Sequence, residues 1–466
     1  MKVLRAGRLW LVAGAAAMPA ALGAQAFGLN EIGSCAIARG FATTASPCRD
    51  ASTIYWNPAA ATWLDGWSVS GGVASIALNG RFRQDSTNRQ FDAVAPTAWV
   101  PHAFVNYHAP SSHYAWGLGF YVPYGLTSQW APDFPGRFEA QKASLQTFYI
   151  QPNVAWQINS KWSIGGGPVY GHSSVELIQA VDLSTQATSA GGPTFGELGI
   201  AAGTEFAQAR LKGTGSAWGV QVGLSGRPTP EWSVGARFLS ALNFSYDNAD
   251  ATFTQVPTNL IVGGSLQAPL VAGTPIDSVV APQFRTGGLL VSQQASTKIV
   301  HPAQIQAGIA YSGFKDWLLE GDYSWVGWKR FSTLPVTFTN TPLNFTLIEN
   351  YNNSSAIRLG AEYTIPTDGW KLRAGFVGAA SAAPPETVTP LLPEQDRNYY
   401  TLGAGVPFMS RWALDVSYAH VSTPGARGRI VPRTTTENAT ATADQLNSGV
   451  FNLSANVFSF TLKASF

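Results

Sequence analysis

The sequence predicts an all-β fold: a 14-stranded antiparallel transmembrane β-barrel with an N-terminal plug, or hatch, inside the lumen. Three observations carry this expectation. A short turn followed by tryptophan recurs at Leu64-Asp65-Gly66-Trp67, Ser160-Lys161-Trp162, Pro230-Glu231-Trp232, Lys315-Asp316-Trp317, Asp368-Gly369-Trp370 and Ser410-Arg411-Trp412. Each tryptophan opens a run with apolar residues at every second position, as in Trp412-Leu414-Val416-Tyr418 against Ala413-Asp415-Ser417. Such a run is a strand with one apolar and one polar face, and a tryptophan at the same end of each is an aromatic girdle at one membrane interface. The links between runs alternate between short and long, as periplasmic turns and external loops do.

The chain opens with Lys2, Arg5 and Arg8, an apolar stretch from Leu9 to about Ala17, and the small-residue run ending Ala24-Gln25-Ala26. This is the pattern of a secretory signal peptide over residues 1–26. The apolar stretch is too short to span a bilayer as a helix, and no later stretch approaches roughly 18 uninterrupted apolar residues. Export without helical spans leaves the periplasm, the outside or the outer membrane of a Gram-negative cell, and the strand pattern selects the outer membrane.

Residues 27–66 lack sustained alternation and carry Gly28, Gly33, Gly40, Pro47 and Pro58 between short apolar pieces. A barrel of about fourteen strands has a lumen too wide for wall side chains to fill, so this segment reads as the plug. The barrel occupies 67–466, with strands at roughly 67–79, 97–109, 114–126, 144–158, 161–178, 216–228, 231–247, 296–312, 316–335, 354–365, 369–380, 397–408, 411–422 and 456–466. The last of these places Phe458, Phe460, Leu462, Ala464 and Phe466 on one face, an ending suited to the barrel assembly machinery. The expected surroundings are outer-membrane lipid.

Charged residues make up 12% of the chain, against about 25% in an average soluble domain. Removal of the signal leaves 26 basic and 27 acidic residues, so there is no basic surface for nucleic acid. Cys35 and Cys48 are the only cysteines. In an oxidising compartment they read as a disulfide, worth about 3 kcal/mol for a loop of that size. There is no G-x-x-x-x-G-K-[ST] and no G-x-S-x-G, so neither nucleotide-driven transport nor an esterase is expected. No enzyme activity, cofactor or metal is expected.

The external loops are apolar where such loops are ordinarily polar. Trp130, Phe134 and Phe138 fall in one, and Phe195, Leu198 and Phe206 in another. An exposed apolar patch marks a binding surface, so these residues are the expected ligand-capture groove; the alternative is that the loops pack on one another and cap the barrel. A carboxylate-bearing substrate would need a cation as well. The inward-facing Arg237, Arg358 and Arg373 are the candidate carboxylate partners, unless Glu320, Asp322, Glu362 or Asp415 already pair with them.

Phe27-Gly28-Leu29-Asn30-Glu31, Asn57-Pro58-Ala59, Tyr124-Gly125-Leu126-Thr127 and Pro393-Glu394-Gln395-Asp396-Arg397 together resemble the FadL/TodX family of hydrocarbon and fatty-acid transporters. The resemblance implies a monomeric barrel with a hatch, which takes up hydrophobic small molecules passively. Substrate would be caught between loops, pass to a lumenal pocket and leave sideways through a kinked third strand. It implies a pocket and hatch built on Phe27, Leu29, Ile32, Asn57, Pro58 and Ala59. For the kink, Gly117, Gly119, Gly125 and Pro123 are the candidates. The paired cysteines are not carried over from the family. The competing expectation is a channel (porin) for polar or aromatic-acid solutes, which has no use for an apolar plug.

Overall fold

The structure, a computed structural model, describes residues 26–189, 191–263, 271–428 and 448–466. The signal segment up to residue 25 lies outside the described residues. Fourteen antiparallel strands form a closed barrel. They are β1 Gly66–Gln84, β2 Ala98–His108, β3 Tyr114–Tyr121 continued by Gly125–Gln129, β4 Lys142–Gln157 and β5 Trp162–Asp182. Next come β6 Glu205–Gly226, β7 Trp232–Leu239 continued by Leu242–Gln255, β8 Gln293–His301 continued by Gln304–Tyr311, and β9 Trp317–Val326 continued by Thr333–Phe338. The last five are β10 Ser354–Thr364, β11 Lys371–Ala379, β12 Arg397–Pro407, β13 Trp412–Ser422 and β14 Gly449–Ser465. The ring closes where β14 pairs with β1, from Ser68 opposite Ser465 to Gln84 opposite Gly449. Closure leaves no free sheet edge, which the hydrocarbon would not tolerate.

The turn-following tryptophans sit where the alternation places them: Trp67, Trp232, Trp317, Trp370 and Trp412 are all exposed on the outer face. Several strands run further outward than their periodicity indicates. β6 begins at Glu205, inside the segment read as loop 179–215, and β7 runs on to Gln255. Beyond the hydrocarbon both faces meet water, so the apolar/polar contrast fades while the ladder continues. There Glu176 of β5 bridges Lys142 of β4 (2.5 Å) and Arg210 of β6 (2.6 Å).

Residues 26–64 fill the lumen. They form two short helices, α1 (Ser34–Ala38) and α2 (Thr53–Trp56), followed by a 3-10 turn, Pro58–Trp63. A disulfide joins Cys35 to Cys48, with their Cα atoms 6.2 Å apart. Polar wall side chains satisfy the plug backbone almost residue by residue. Glu320 Oε1 accepts from the amides of Ala45 (2.7 Å) and Ser46 (3.1 Å), while Oε2 takes Arg39 at 2.5 Å. Asp322 Oδ2 accepts from the Thr43 and Thr44 amides, both at 2.9 Å. Asn153 donates to the Pro58 carbonyl, Ser163 to that of Ala59 and Asn106 to that of Ala61. Next to this, Arg373 joins Glu362 (2.7 Å) to Asp415 (2.6 Å), and Asp415 also holds Lys463 at 2.6 Å.

Buried ion pairs contribute little net stability, but losing one partner strands the other. Glu320→Ala should therefore destabilise the plug by about 3–5 kcal/mol, because Arg39 would be left buried and unpaired. In planar bilayers the variant is expected to conduct ions steadily where the parent stays closed. A variant as tight as the parent would contradict the role given to Glu320.

Candidate functional site

The ladder between β2 and β3 breaks off partway up the wall. These strands pair from Ala103 opposite Phe120 down to His108 opposite Ala115, and no further. Higher up, Val94 N donates to Gln129 O (2.8 Å) and Ala93 bridges Trp130, so the gap is a closed window. Its cause is a bulge in β3. Tyr121 pairs with Tyr149 of β4, and Gly125 pairs with Gln146. Four steps along β3 therefore oppose three along β4, and the extra residue bends β3 inward at Val122-Pro123-Tyr124. Unpaired backbone donors at membrane depth are costly. Pro96, Pro101 and Pro123 on the rim have no such donor to leave unpaired.

The N-terminal strip takes up the hydrogen-bonding edge of the kink. Gly125 N donates to Phe27 O, and Leu29 N donates to Pro123 O, both at 2.9 Å. Gly28 and Tyr124 face each other as a single antiparallel bridge. The approach is close enough that a Cβ on Gly125 would meet Leu29 Cδ1 at 2.8 Å. Phe27 locks the strip into an aromatic cluster, with ring centroids 4.6 Å from Trp328, 5.4 Å from Phe331 and 6.0 Å from Tyr124.

A cavity of about 770 Å³ runs along the strip and through the window. Val100, Tyr124, Leu145 and Val457 line it from the lumen side. Trp99, Pro101, Phe120 and Phe148 line it too, and they alternate with the inward positions, so the cavity reaches the outer face of the wall. Its polar corner holds Glu31, Glu394, Arg397 and Tyr399. Arg397 donates to Glu394 (2.5 Å), and Glu31 accepts from the Asn30 amide (2.9 Å). Burial pushes the Glu31 carboxyl up from its ordinary pKa, against the opposing pull of the Asn30 amide, Arg397 and Arg358. A second cavity of about 320 Å³ lies among the external ends, bordered by Phe138, Val181, Arg210, Leu211, Phe253 and Leu290.

The residues singled out in the sequence are distributed unevenly over these features. Leu29 lines the window cavity, while Phe27 is buried behind it. Ile32 is fully buried, and its carbonyl accepts from Trp56 Nε1. Asn57, Pro58 and Ala59 pack the far side of the plug, where Asn57 donates to the Thr44 and Leu224 carbonyls. The loop aromatics do not share one groove. Trp130 stacks on Phe134 (4.5 Å) above the window, and Phe138 borders the outer cavity. Phe195 and Phe206 belong to a separate loop core with Leu183 and Ile276, and Leu198 is half-buried and lines neither cavity.

The three arginines are likewise engaged away from both cavities. Arg237 donates to Tyr55 O (2.7 Å) and Gln304 (2.6 Å), and Arg358 donates to Asn30 (3.0 Å). Arg373 is held between Glu362 and Asp415. Of the candidate kink positions, the bend falls at Pro123 and ends at Gly125; Gly117 and Gly119 lie in the regular ladder below it. Glu31, Glu394 and Arg397 stand out as cavity residues only in three dimensions. They occur within the sequence motifs, but nothing in their spacing shows that they meet. Among the described residues no group of three or more His, Cys, Asp or Glu could hold a metal ion.

Comparison with known proteins agrees with this geometry. Residues 15–466 match the model of the family described as outer membrane protein transport protein (OMPP1/FadL/TodX). The chain is 25% identical over 413 residues to a long-chain fatty acid transport protein of Escherichia coli O6:H1, covering 84% of this chain and 86% of the relative. It is 24% identical over 476 residues to outer membrane protein P1 of Haemophilus influenzae, covering 93% and 95%. A Pseudomonas aeruginosa FadL homologue superposes with a TM-score of 0.77 at 19% identity, covering 95% of this chain and all of that one. The Ralstonia pickettii toluene transporter TbuX superposes at 0.61 with 17% identity, covering 95% and 99%. The chain is therefore an outer-membrane β-barrel belonging to the OMPP1/FadL/TodX family of transport proteins.

Proposed function

We propose that this barrel takes up hydrophobic small molecules passively, whether long-chain fatty acids or hydrocarbons, and releases them sideways through the β2–β3 window. In this reading residues 1–26 are a cleaved leader, 27–66 a hatch, and 67–466 the barrel wall. The outer cavity receives the molecule, the window cavity holds it, and the lipid-facing mouth delivers it. The observation that carries the proposal is that one apolar cavity touches both the lumen and the outer face, above a plug bolted to the wall by Glu320 and Asp322. An apolar molecule gains nothing by crossing the buried ion pairs beside the plug, whereas the window lining is largely apolar away from its one polar corner. Burying ten methylenes contributes about 8 kcal/mol before ordering costs, enough for micromolar capture without an energy source.

Movement is assigned to the strip Phe27–Ile32. It holds the kink through two backbone hydrogen bonds, while the disulfide-closed segment behind it is anchored at many points. Relatives named for long-chain fatty acids, and a structural neighbour named for toluene, fit the same reading. The polar-channel alternative needs an axial route past the plug that Glu320 and Asp322 hold.

Two variants test the route. Deleting Val122 removes the extra residue opposite β4, so β3 can straighten and pair with β2. The barrel is expected to keep its heat-modifiable migration, while cells lose uptake of a radiolabelled apolar solute. Undiminished uptake with a straightened β3 would exclude the window as the exit. Leu29→Asp places a carboxylate against the cavity, and roughly hundredfold weaker binding of an apolar fluorescent probe is expected. Unchanged binding by the folded variant would remove Leu29 from the pocket.

A further inference from the structure

We infer that the path through this barrel selects uncharged hydrophobic molecules over carboxylates, because both cavities present carboxylates of their own and leave no cation to spare. The inference rests on the uptake reading above and narrows its substrate class.

Among the described residues lining the window cavity, the charged side chains are Glu31, Glu394 and Arg397. Arg397 is the only cation there, and its side chain is 23% exposed. Its Nη2 already donates to Glu394 Oε2 (2.5 Å). Glu394 is buried and cannot turn away into water. A ligand carboxylate reaching Arg397 would have to share it with Glu394 and would face Glu31 as well. Processing after Ala26 would place the Phe27 ammonium beside these carboxylates, which favours the ionised form of Glu31, so two cations would meet two anions without surplus.

The outer cavity repeats the pattern independently. Its charged lining is Glu139, Asp182 and Arg210; Arg210 (2.6 Å) shares Glu176 with Lys142 (2.5 Å), so two cations there meet three carboxylates. Asp182 is buried and has no ion pair among the described residues, its oxygens being taken by the Ser184 and Gly203 amides at 2.9 Å. The inward arginines offer no relief, since none of them lines either cavity: Arg237 and Arg358 face the plug at Tyr55 and Asn30, and Arg373 sits between Glu362 and Asp415. A buried carboxylate without its own cation is strongly disfavoured, while an alcohol or hydrocarbon of equal length loses only ordinary hydration. The lining of Trp99, Phe120, Tyr124 and Phe148 suits such a neutral chain or ring.

The test is equilibrium binding of 1-decanol and of decanoate to the purified full-length barrel in detergent at pH 8, where decanoate is ionised. The parent is expected to bind decanol at least about tenfold more tightly, the scale of one unfavourable charge contact. Glu394→Gln releases Arg397 from its partner and is expected to shift the ratio of the two affinities about tenfold toward decanoate. Equal or tighter binding of decanoate by the parent would overturn the inference while leaving the transport reading intact. An unshifted ratio in the folded variant would overturn the role given to Glu394, and the charge argument with it. Saturable binding of neither ligand would overturn the transport reading itself, together with this inference.

Discussion

A backbone amide in hydrocarbon must find its partner within the protein, and most of this structure follows from how that requirement is met. Closing β14 onto β1 meets it for the sheet as a whole. The β2–β3 window suspends it locally, and three compensations gather at that spot. Pro96, Pro101 and Pro123 carry no donor, the Phe27–Leu29 strip pairs with the inner edge of β3, and a cavity rather than lipid tails lies against what remains. One inserted residue at Val122–Tyr124 thus accounts for the kink, the opening and the docking of the N-terminus together.

The lumen is divided by chemistry. Near Glu320, Asp322, Arg373 and Asp415 the wall is charged, and it fixes the plug through backbone amides and Arg39. Beside the window it is aromatic, with Phe27, Tyr124, His301, Trp328 and Phe331 in mutual contact. The charged side holds the plug in place. On the proposed route the aromatic side is where an apolar solute binds, and the carboxylates at the cavities bear on which apolar molecules are admitted.

The barrel was legible because its signal is repeated: six turn-and-tryptophan motifs and a period of two locate the girdled ends of the strands. The outer ends were less so, since Glu205–Gly215 and the start of β14 stand in water, where neither face needs to be apolar. The bulge was not legible at all. Gly117, Gly119, Pro123 and Gly125 all suit a bend, and only the pairing with Tyr149 and Gln146 singles out one. Arg237, Arg358 and Arg373 were readable as inward-facing, but their engagement was not, because two of their partners, Tyr55 and Asn30, lie on the plug. The loop aromatics divide between two cores for a similar reason: Trp130 meets Phe451 of β14, whereas Phe206 meets Phe284 within the crown. Composition marks a residue as apolar without saying which neighbour covers it.

The central claim is that an apolar molecule resides in, and departs through, the β2–β3 window. The most direct measurement is anomalous diffraction from crystals of the barrel soaked with a brominated alkane. Bromine peaks among Val100, Tyr124, Leu145 and Phe148, continuing between the two strands to the lipid face, are what the account predicts. Peaks threading the plug past Arg39 and Glu320 toward the tryptophan girdle would contradict it and make the barrel axis the route.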